Sequence, residues 1–305
     1  MKIHAHNFVF LRFPTTVDFS ELEHLLPALK LKPVGPLEMS SSGFISPFVG
    51  DRLIVPIKTS SFDALWVSIG TETKILPGSV LARALGEKLK EIEEKEGRKL
   101  GGRERRRIKD DLLHELLPRA FAKAGRADAL IFPALGLIAV GTSSRKVAEH
   151  VASEIRGALG SFPAMPLNAE VAPRSILTAW ISGEPLPEGL ALGYEATLSD
   201  PMEGGAEVKV KDQELLSDEV EKHLESGKQA TRLALSKDDR STFIVGDDLV
   251  LRKFKIGEAA MDDHNADDEA SASEFQTATM TIVAAEALAV FGVIEQAFRI
   301  SKMEG

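Results

Sequence analysis

Between Ser79 and Leu117 the apolar residues recur every three or four positions, and two glycines, Gly101 and Gly102, interrupt the run. Residues three and four apart share a helix face, so the spacing predicts helices rather than strands. Leu81, Leu85, Leu89 and Ile92 mark the first helix, with Ser79 placed to cap its start. Paired glycines cost helix stability and supply the backbone freedom of a reversal, so this helix is expected to stop near them. A second helix follows from about Arg103 to Leu117, with Ile108, Leu112, Leu113, Leu116 and Leu117 apolar and Pro118 marking its end. Two helices joined by a tight turn form an αα-hairpin projecting from the body of the protein.

The tip and return arm of that hairpin are strongly basic. Seven Lys or Arg residues fall between Arg98 and Lys109, with Glu104 as the one acid among them. From Arg98 to Arg126 ten basic residues face four acidic ones, a local surplus of six positive charges in a chain of formal net charge −9. The remainder therefore carries fifteen negative charges, concentrated in part between Glu258 and Glu274, which hold seven acids and no Lys or Arg. A field depends on distribution and not on the sum, so the acidic total does not exclude a polyanionic partner.

At 305 residues the chain exceeds what one core usually organises, so two or three subdomains are expected. "NFVFLRF" and "ALWVSIGTETKIL" read as strands with a helical signal at Ser20 to Leu29 between them. "ALIFPALGLIAVGTS" reads as two strands around a turn at Pro133 to Gly136, and Val147, Val151, Ile155 and Leu159 mark a helix. Pro163, Pro166 and Pro173 mark a linker, after which come a helix at "SILTAWIS", strands at "LALGYEATL" and "AEVKVK", and a short helix from Ser217. A strand at "ATRLALS", a hairpin turning at Gly246-Asp247 and a long buried helix within Ser273 to Ser301 complete the chain, which has no internal repeat. This assigns residues 1–76 and 127–168 to a central α+β domain, 77–126 to the hairpin and 169–305 to a C-terminal α+β base domain. The absence of cysteine excludes disulfides and thiol chemistry. With no signal peptide and no run of eighteen apolar residues, the expectation is a cytoplasmic protein without a membrane partner.

Motifs for enzymatic chemistry are sparse. "SGKQAT" has a Gly-Lys pair, but Lys222 stands where a phosphate-binding loop needs its first glycine. GxSxG and HExxH are absent, and "GTSSRK" misses the spacing of a nucleophile elbow. Asp200 followed by Glu207 and Lys209 has the spacing with which some nucleases hold Mg²⁺ and position water. The plainer reading is an exposed alternating strand face carrying ion pairs. "DDHNADDE", Asp262 to Glu269, lacks EF-hand spacing and reads as a solvated acidic loop. His114 reads as a helix-surface or packing residue. No cofactor, metal or catalytic residue is therefore expected. Within the basic cluster the i,i+4 pairs Arg106-Asp110 and Arg107-Asp111 absorb two arginines and leave most of the charge uncompensated. The cluster lacks interleaved aromatics, which favours duplex-backbone contact over base stacking.

Several collinear stretches, "NFVFLRF", "ETKILPGSVLARAL", "LLHELLPRAFAKA", "GLIAV", "GSFPAMPL" and "HLESGKQATRLAL", resemble the recombination-associated protein RdgC family. The resemblance runs from about residue 7 to 290 and is strongest from Lys74 to Leu167. It implies an α+β, multi-subdomain chain with antiparallel sheets and a projecting helical hairpin. It also implies a ring-shaped homodimer whose positive hole encircles duplex DNA without sequence preference. Such a protein is not an enzyme; it is nucleoid-associated and limits RecA-promoted recombination by occupying DNA. Carried onto this chain, the LPRAF motif makes Phe121 a dimer contact and sets Arg119 and Lys123 near the hole. The second dimer contact falls at Lys211 and Gln213, where Asp212 separates the basic residue from the glutamine that the family pattern places next to it. The DNA-facing candidates are Arg98, Lys99, Arg103, Arg105, Arg106, Arg107, Arg119, Lys123 and Lys211. The alternatives are a Mg²⁺-dependent nuclease using Asp200, Glu207 and Lys209, and a structural dimer that binds no DNA.

Overall fold

The computed structural model describes residues 6–48, 50–202, 205–262 and 271–303. The elements in chain order are β1 (Val9–Arg12), α1 (Leu22–Leu25), β2 (Ser40–Ile45), β3 (Ile54–Lys58), β4 (Asp63–Lys74), α2 (Gly78–Glu96) and α3 (Gly102–Leu116). There follow β5 (Ala122–Phe132), β6 (Leu137–Val140), α4 (Arg145–Leu159), β7 (Met165–Pro166), α5 (Pro173–Ile181), β8 (Leu190–Ser199) and β9 (Glu207–Lys211). The chain closes with α6 (Asp218–Glu225), β10 (Gln229–Lys237), β11 (Ser241–Gly246), β12 (Leu251–Ile256), α7 (Glu258–Asp262) and α8 (Ala272–Ala297). Strands and helices thus mix as an α+β chain, with antiparallel pairing of β1 with β6 and β7, of β3 with β4, of β5 with β6, and throughout β8 to β12. It divides into two compact units: residues 27–45 with 69–126, and the described parts of 1–26, 46–68 and 127–305.

The smaller unit holds the hairpin α2–α3, the strand β2, and the Ile69–Lys74 and Ala122–Arg126 portions of β4 and β5. Phe44 of β2 is fully buried. Its neighbour Gly43 is required by close approach, since a Cβ there would stand 2.7 Å from the backbone of Leu29 and Leu31. Gly70 plays the same part on β4, where a Cβ would meet Ile45 at 2.6 Å.

In the larger unit, one sheet places strands in the order β3, β4, β5, β6, β1, β7, and another in the order β12, β11, β10, β8, β9. Pro56 is tolerated in β3 because that strand lies at the sheet edge and pairs only with β4. The helix α8 organises the core: Met280, Val283, Ala284, Ala287, Val290, Phe291 and Ile294 recur at helical spacing and are buried with Phe8, Phe10, Trp66, Leu233, Phe243 and Phe254. By length and composition α8 could cross a membrane, but here half of its most apolar stretch is buried inside the protein. Its start is held by a capping box, Ser271 Oγ accepting the Glu274 N–H and the Glu274 carboxylate accepting the Ser271 N–H. Phe10 and Phe291 pack with ring centroids 4.8 Å apart, and Phe8 meets Phe254 edge-on at 5.3 Å. A bulge at Lys253, whose φ is +51°, accompanies a Phe254 N–H bonded to the His6 carbonyl at 2.8 Å and ties the N-terminal segment to β12.

Two ionisable groups sit inside this core with polar partners, although Arg12 Nε has none. The Asp128 carboxylate accepts bonds from Trp66 Nε1 at 3.1 Å and from the Ser68 hydroxyl. Arg12, only 4% exposed, donates to the Leu135 carbonyl at 2.8 Å and to Glu295, and lies 5.0 Å from the centroid of Phe291. Removing Glu295 leaves a buried cation without its counter-charge. Glu295→Ala is expected to destabilise the larger unit by about 2 to 4 kcal/mol in urea unfolding, because an orphaned buried charge keeps its desolvation cost. A loss below about 0.5 kcal/mol, the scale of an exposed pair, would show that Arg12 is solvated.

Candidate nucleic-acid interface

The hairpin begins at Pro77, which takes the cap position of α2, so that Ser79 lies inside the first turn and caps nothing. The helix ends at Glu96, short of the two glycines expected to stop it. Gly97 adopts φ +68° and its N–H bonds the Glu93 carbonyl at 2.9 Å, a left-handed helix stop that suits glycine. Gly101 then caps α3, and the Glu104 carboxylate accepts the Gly101 N–H at 2.9 Å. The connecting turn is therefore Gly97 to Gly101, and Leu100 tucks into it with 7% exposure.

Carboxylates hold this turn together. Glu104 receives both terminal nitrogens of Arg98, at 2.9 and 2.7 Å, a bidentate pair, while Glu96 takes a third contact from Arg98 at 2.9 Å. Across the hairpin, Glu93 accepts the Leu100 N–H and an Arg105 nitrogen, each at 3.0 Å, and Arg105 Nε donates to the Leu100 carbonyl at 3.1 Å. The Arg98 hydrogen bonds, with the Gly101 N–H, hold the Glu104 carboxyl down at about pKa 2. Glu93 is lowered chiefly by the Leu100 N–H and further by Arg105. Arg98 is raised, first by its bond to Glu104.

Two of the expected DNA-facing arginines are thus engaged inside the turn. Lys99, Arg103 and Arg106 are exposed and form no salt bridge among the described residues. Arg103, Arg106 and Arg107 lie on the side of α3 opposite the buried Leu112, by the 100° step of the helix. Of the two i,i+4 pairs expected there, Arg107–Asp111 forms, at 4.0 Å and well exposed, and Arg106 stays unpaired. His114 is an exposed helix-surface residue on the same arm. At the base of the hairpin the buried Lys74, which sequence reasoning did not single out, donates to the Pro36 carbonyl at 2.7 Å and the Leu117 carbonyl at 2.8 Å. A lysine inside a strand gives no signal of this role.

The LPRAF segment turns through Leu117–Arg119 and leaves Phe121 85% exposed, its carbonyl accepting the Ile75 N–H at 2.7 Å. Ile75 and Val80 nearby are half exposed. A large ring standing in water beside other apolar side chains is unusual for a lone chain. Arg119 and Lys123 are exposed on either side of it. In the larger unit Lys211 is exposed at the end of β9. Asp212 follows in the left-handed region at φ +53°, where a short polar side chain is tolerated, and Gln213 Nε2 donates to Glu219 at 2.9 Å and Ser217 at 3.3 Å.

The carboxylate–lysine trio does not assemble. Glu207 and Lys209 share a face and pair at 2.9 Å, as an alternating strand predicts. Asp200 pairs through its N–H with the Ala206 carbonyl, so the pleat turns its side chain to the other face, where it accepts its own Met202 N–H at 3.0 Å. Ser144 of "GTSSRK" caps α4, accepting the Val147 N–H, and Gly227 of "SGKQAT" closes the turn after α6 at φ +89°. The acidic loop after Asp262 lies outside the described residues.

The bond between Gly101 and Glu104 can be followed by titration. A depressed carboxyl stabilises the fold above its ordinary pKa, and that contribution is lost as pH falls through its folded value, here about 2. The Gly101 amide resonance is expected to stay flat as pH is lowered through about 4.3, where a free glutamate is half protonated. A step there would contradict the bidentate clasp.

Comparison with known proteins agrees over nearly the whole chain. The profile of the family described as "Putative exonuclease, RdgC" matches residues 4–300. The recombination-associated protein RdgC of Xanthomonas campestris pv. campestris (strain B100) is 57% identical over 300 residues, covering 98% of each chain. That of Xanthomonas oryzae pv. oryzae (strain MAFF 311018) is 57% identical over 300 residues, 98% of this chain and 99% of the relative. The protein of the same name from Stenotrophomonas maltophilia (strain R551-3) is 55% identical over 299 residues, with the same two coverages. A clasped basic hairpin and an exposed LPRAF phenylalanine thus stand in a chain that belongs to the RdgC family of recombination-associated proteins.

Proposed function

We propose that this chain is a non-enzymatic, double-stranded DNA-binding protein that assembles as a homodimeric ring around the duplex and limits RecA-promoted recombination. The observation that carries this reading is the clasped hairpin tip. Glu93 and Glu104 hold Arg105 and Arg98, and the turn so fixed presents Arg103 and Arg106 without salt-bridge partners among the described residues, with Lys99 exposed beside them. Cations held apart from carboxylates on a firm scaffold suit phosphates, which fix position and carry no sequence information. A ring explains how an acidic protein holds an acidic polymer, since the basic residues line the hole and the surplus carboxylates face away. The family name, which ties its relatives to recombination, supplies the setting. DNA is then occupied by a clamp in the nucleoid, and the activity needs neither Mg²⁺ nor nucleotide.

Replacing Lys99, Arg103 and Arg106 together by alanine is expected to lower the slope of log K against log salt by about 2 to 3, at roughly 0.9 per lost phosphate contact. The loss should be uniform across sequences, with or without Mg²⁺. An unchanged slope would remove the hairpin from the interface. For the ring, Phe121→Ala is expected to weaken self-association about 30-fold or more, the effect of losing an aromatic anchor of about 2 kcal/mol. Sedimentation profiles identical to the parent protein would refute that contact.

A further inference from the structure

Lys74 ends β4 as a buried cation, 7% exposed, with which no carboxylate pairs among the described residues. A buried ammonium is costly unless acceptors meet it. Two carbonyls do so here, that of Pro36 at 2.7 Å and that of Leu117 at 2.8 Å. Leu117 caps the C-terminal end of α3, where backbone carbonyls carry partial negative charge and favour a cation. Both acceptors belong to the main chain. An ammonium bonded to them fixes the course of the backbone, which a bond to a side chain would leave free.

The backbone is tied at the same place. The Lys74 N–H donates to the Met39 carbonyl at 2.8 Å, and the Ile75 N–H donates to the Phe121 carbonyl at 2.7 Å. Two residues earlier, the Glu72 carboxylate accepts the Val34 N–H at 2.9 Å. Three segments distant in the sequence, 34–39, 72–75 and 117–121, are therefore joined at the end of one strand. The Lys74 side chain bridges the first to the third.

What this junction carries is apolar and faces water. Leu37, Met39 and Ile75 are about half exposed, and Phe121 is more exposed than any of them. Met39, Ile75 and Phe121 are themselves bonded residues of the junction, and Leu37 follows Pro36. Side chains on a loose segment lose freedom when a partner orders them, whereas side chains on a tied segment have already lost it. A buried charge spent on main-chain oxygens thus holds ready an apolar surface that the chain leaves uncovered.

We infer that Lys74 is the positioning residue of the Phe121 contact: its ammonium sets the course of the LPRAF turn, so that Phe121 meets a second copy of the chain in one orientation. The inference rests on the dimer reading, and its test keeps the two apart. Self-association is measured by sedimentation for the parent chain, Lys74→Met, Phe121→Ala and the double variant. Lys74→Met retains the apolar stem without the charge and is expected to weaken self-association about tenfold through lost pre-organisation. In the Phe121→Ala background it should add less than about twofold, because the two residues act through one contact. Equal losses in both backgrounds, or no loss in either, overturn the positioning role and leave the dimer contact standing. A Phe121→Ala chain that associates like the parent overturns both.

A chemical variant covers the case in which Lys74→Met does not fold. The chain has no cysteine, so Lys74→Cys can be alkylated at that position alone while unfolded and then refolded. Treatment with 2-bromoethylamine restores an ammonium on a stem of lysine length, and iodoacetamide installs a neutral amide. Self-association is expected to return with the ammonium and not with the amide. Equal recovery with both, or recovery with neither, overturns the inference.

Discussion

Mutual repulsion among cations is the constraint on which the hairpin depends. Seven basic side chains within twelve positions oppose any tight turn that gathers them. The turn forms because Glu93 and Glu104 each take one arginine and one backbone N–H, converting two of the cations into structural supports. Leu100, buried between its own hydrogen-bonded N–H and carbonyl, anchors the same turn from inside. What remains exposed on α3 is then positioned by a fixed scaffold, with less conformational freedom to lose on meeting a phosphate.

The same logic appears twice more with different partners. Arg12 and Lys74 are cations turned inward whose terminal nitrogens bond carbonyls and, for Arg12, a carboxylate, so they serve the fold. On the five-stranded sheet, Glu207 and Glu195 hold Lys209 and Lys253, and Asp238 and Asp248 beyond the strand ends hold Lys237 and Arg252. Sorting cations by whether a protein acceptor already holds them separates structural from available charge, a distinction composition alone does not make.

Periodic elements were readable in the sequence, because burial on one face repeats in the residue order. The helix α4, buried at Ala148, Val151, Ala152 and Ile155, and the buried α8 follow that rule, while β1 is readable as a short apolar run buried throughout. The strand β2, "SSSGFI", was not readable: it has one buried aromatic and depends on Gly43 fitting against the chain at Leu29 to Leu31. Nor was β3, whose Pro56 argues against a strand until its place at a sheet edge is known. In the hairpin, the Gly101–Glu104 spacing carries the capping signal, but the Glu93–Arg105 pair spans twelve residues and exists only once Gly97 has set the turn.

The measurement that bears most directly on the account is retention of the protein on covalently closed circular duplex and on the same duplex linearised, each followed through a rise in salt. A clamp whose cations face a central hole loses its phosphate contacts at high salt but cannot leave a closed circle without opening. The account predicts rapid loss from linear DNA and persistence on the circle. Equal loss from both forms, or no binding at low salt, would contradict it.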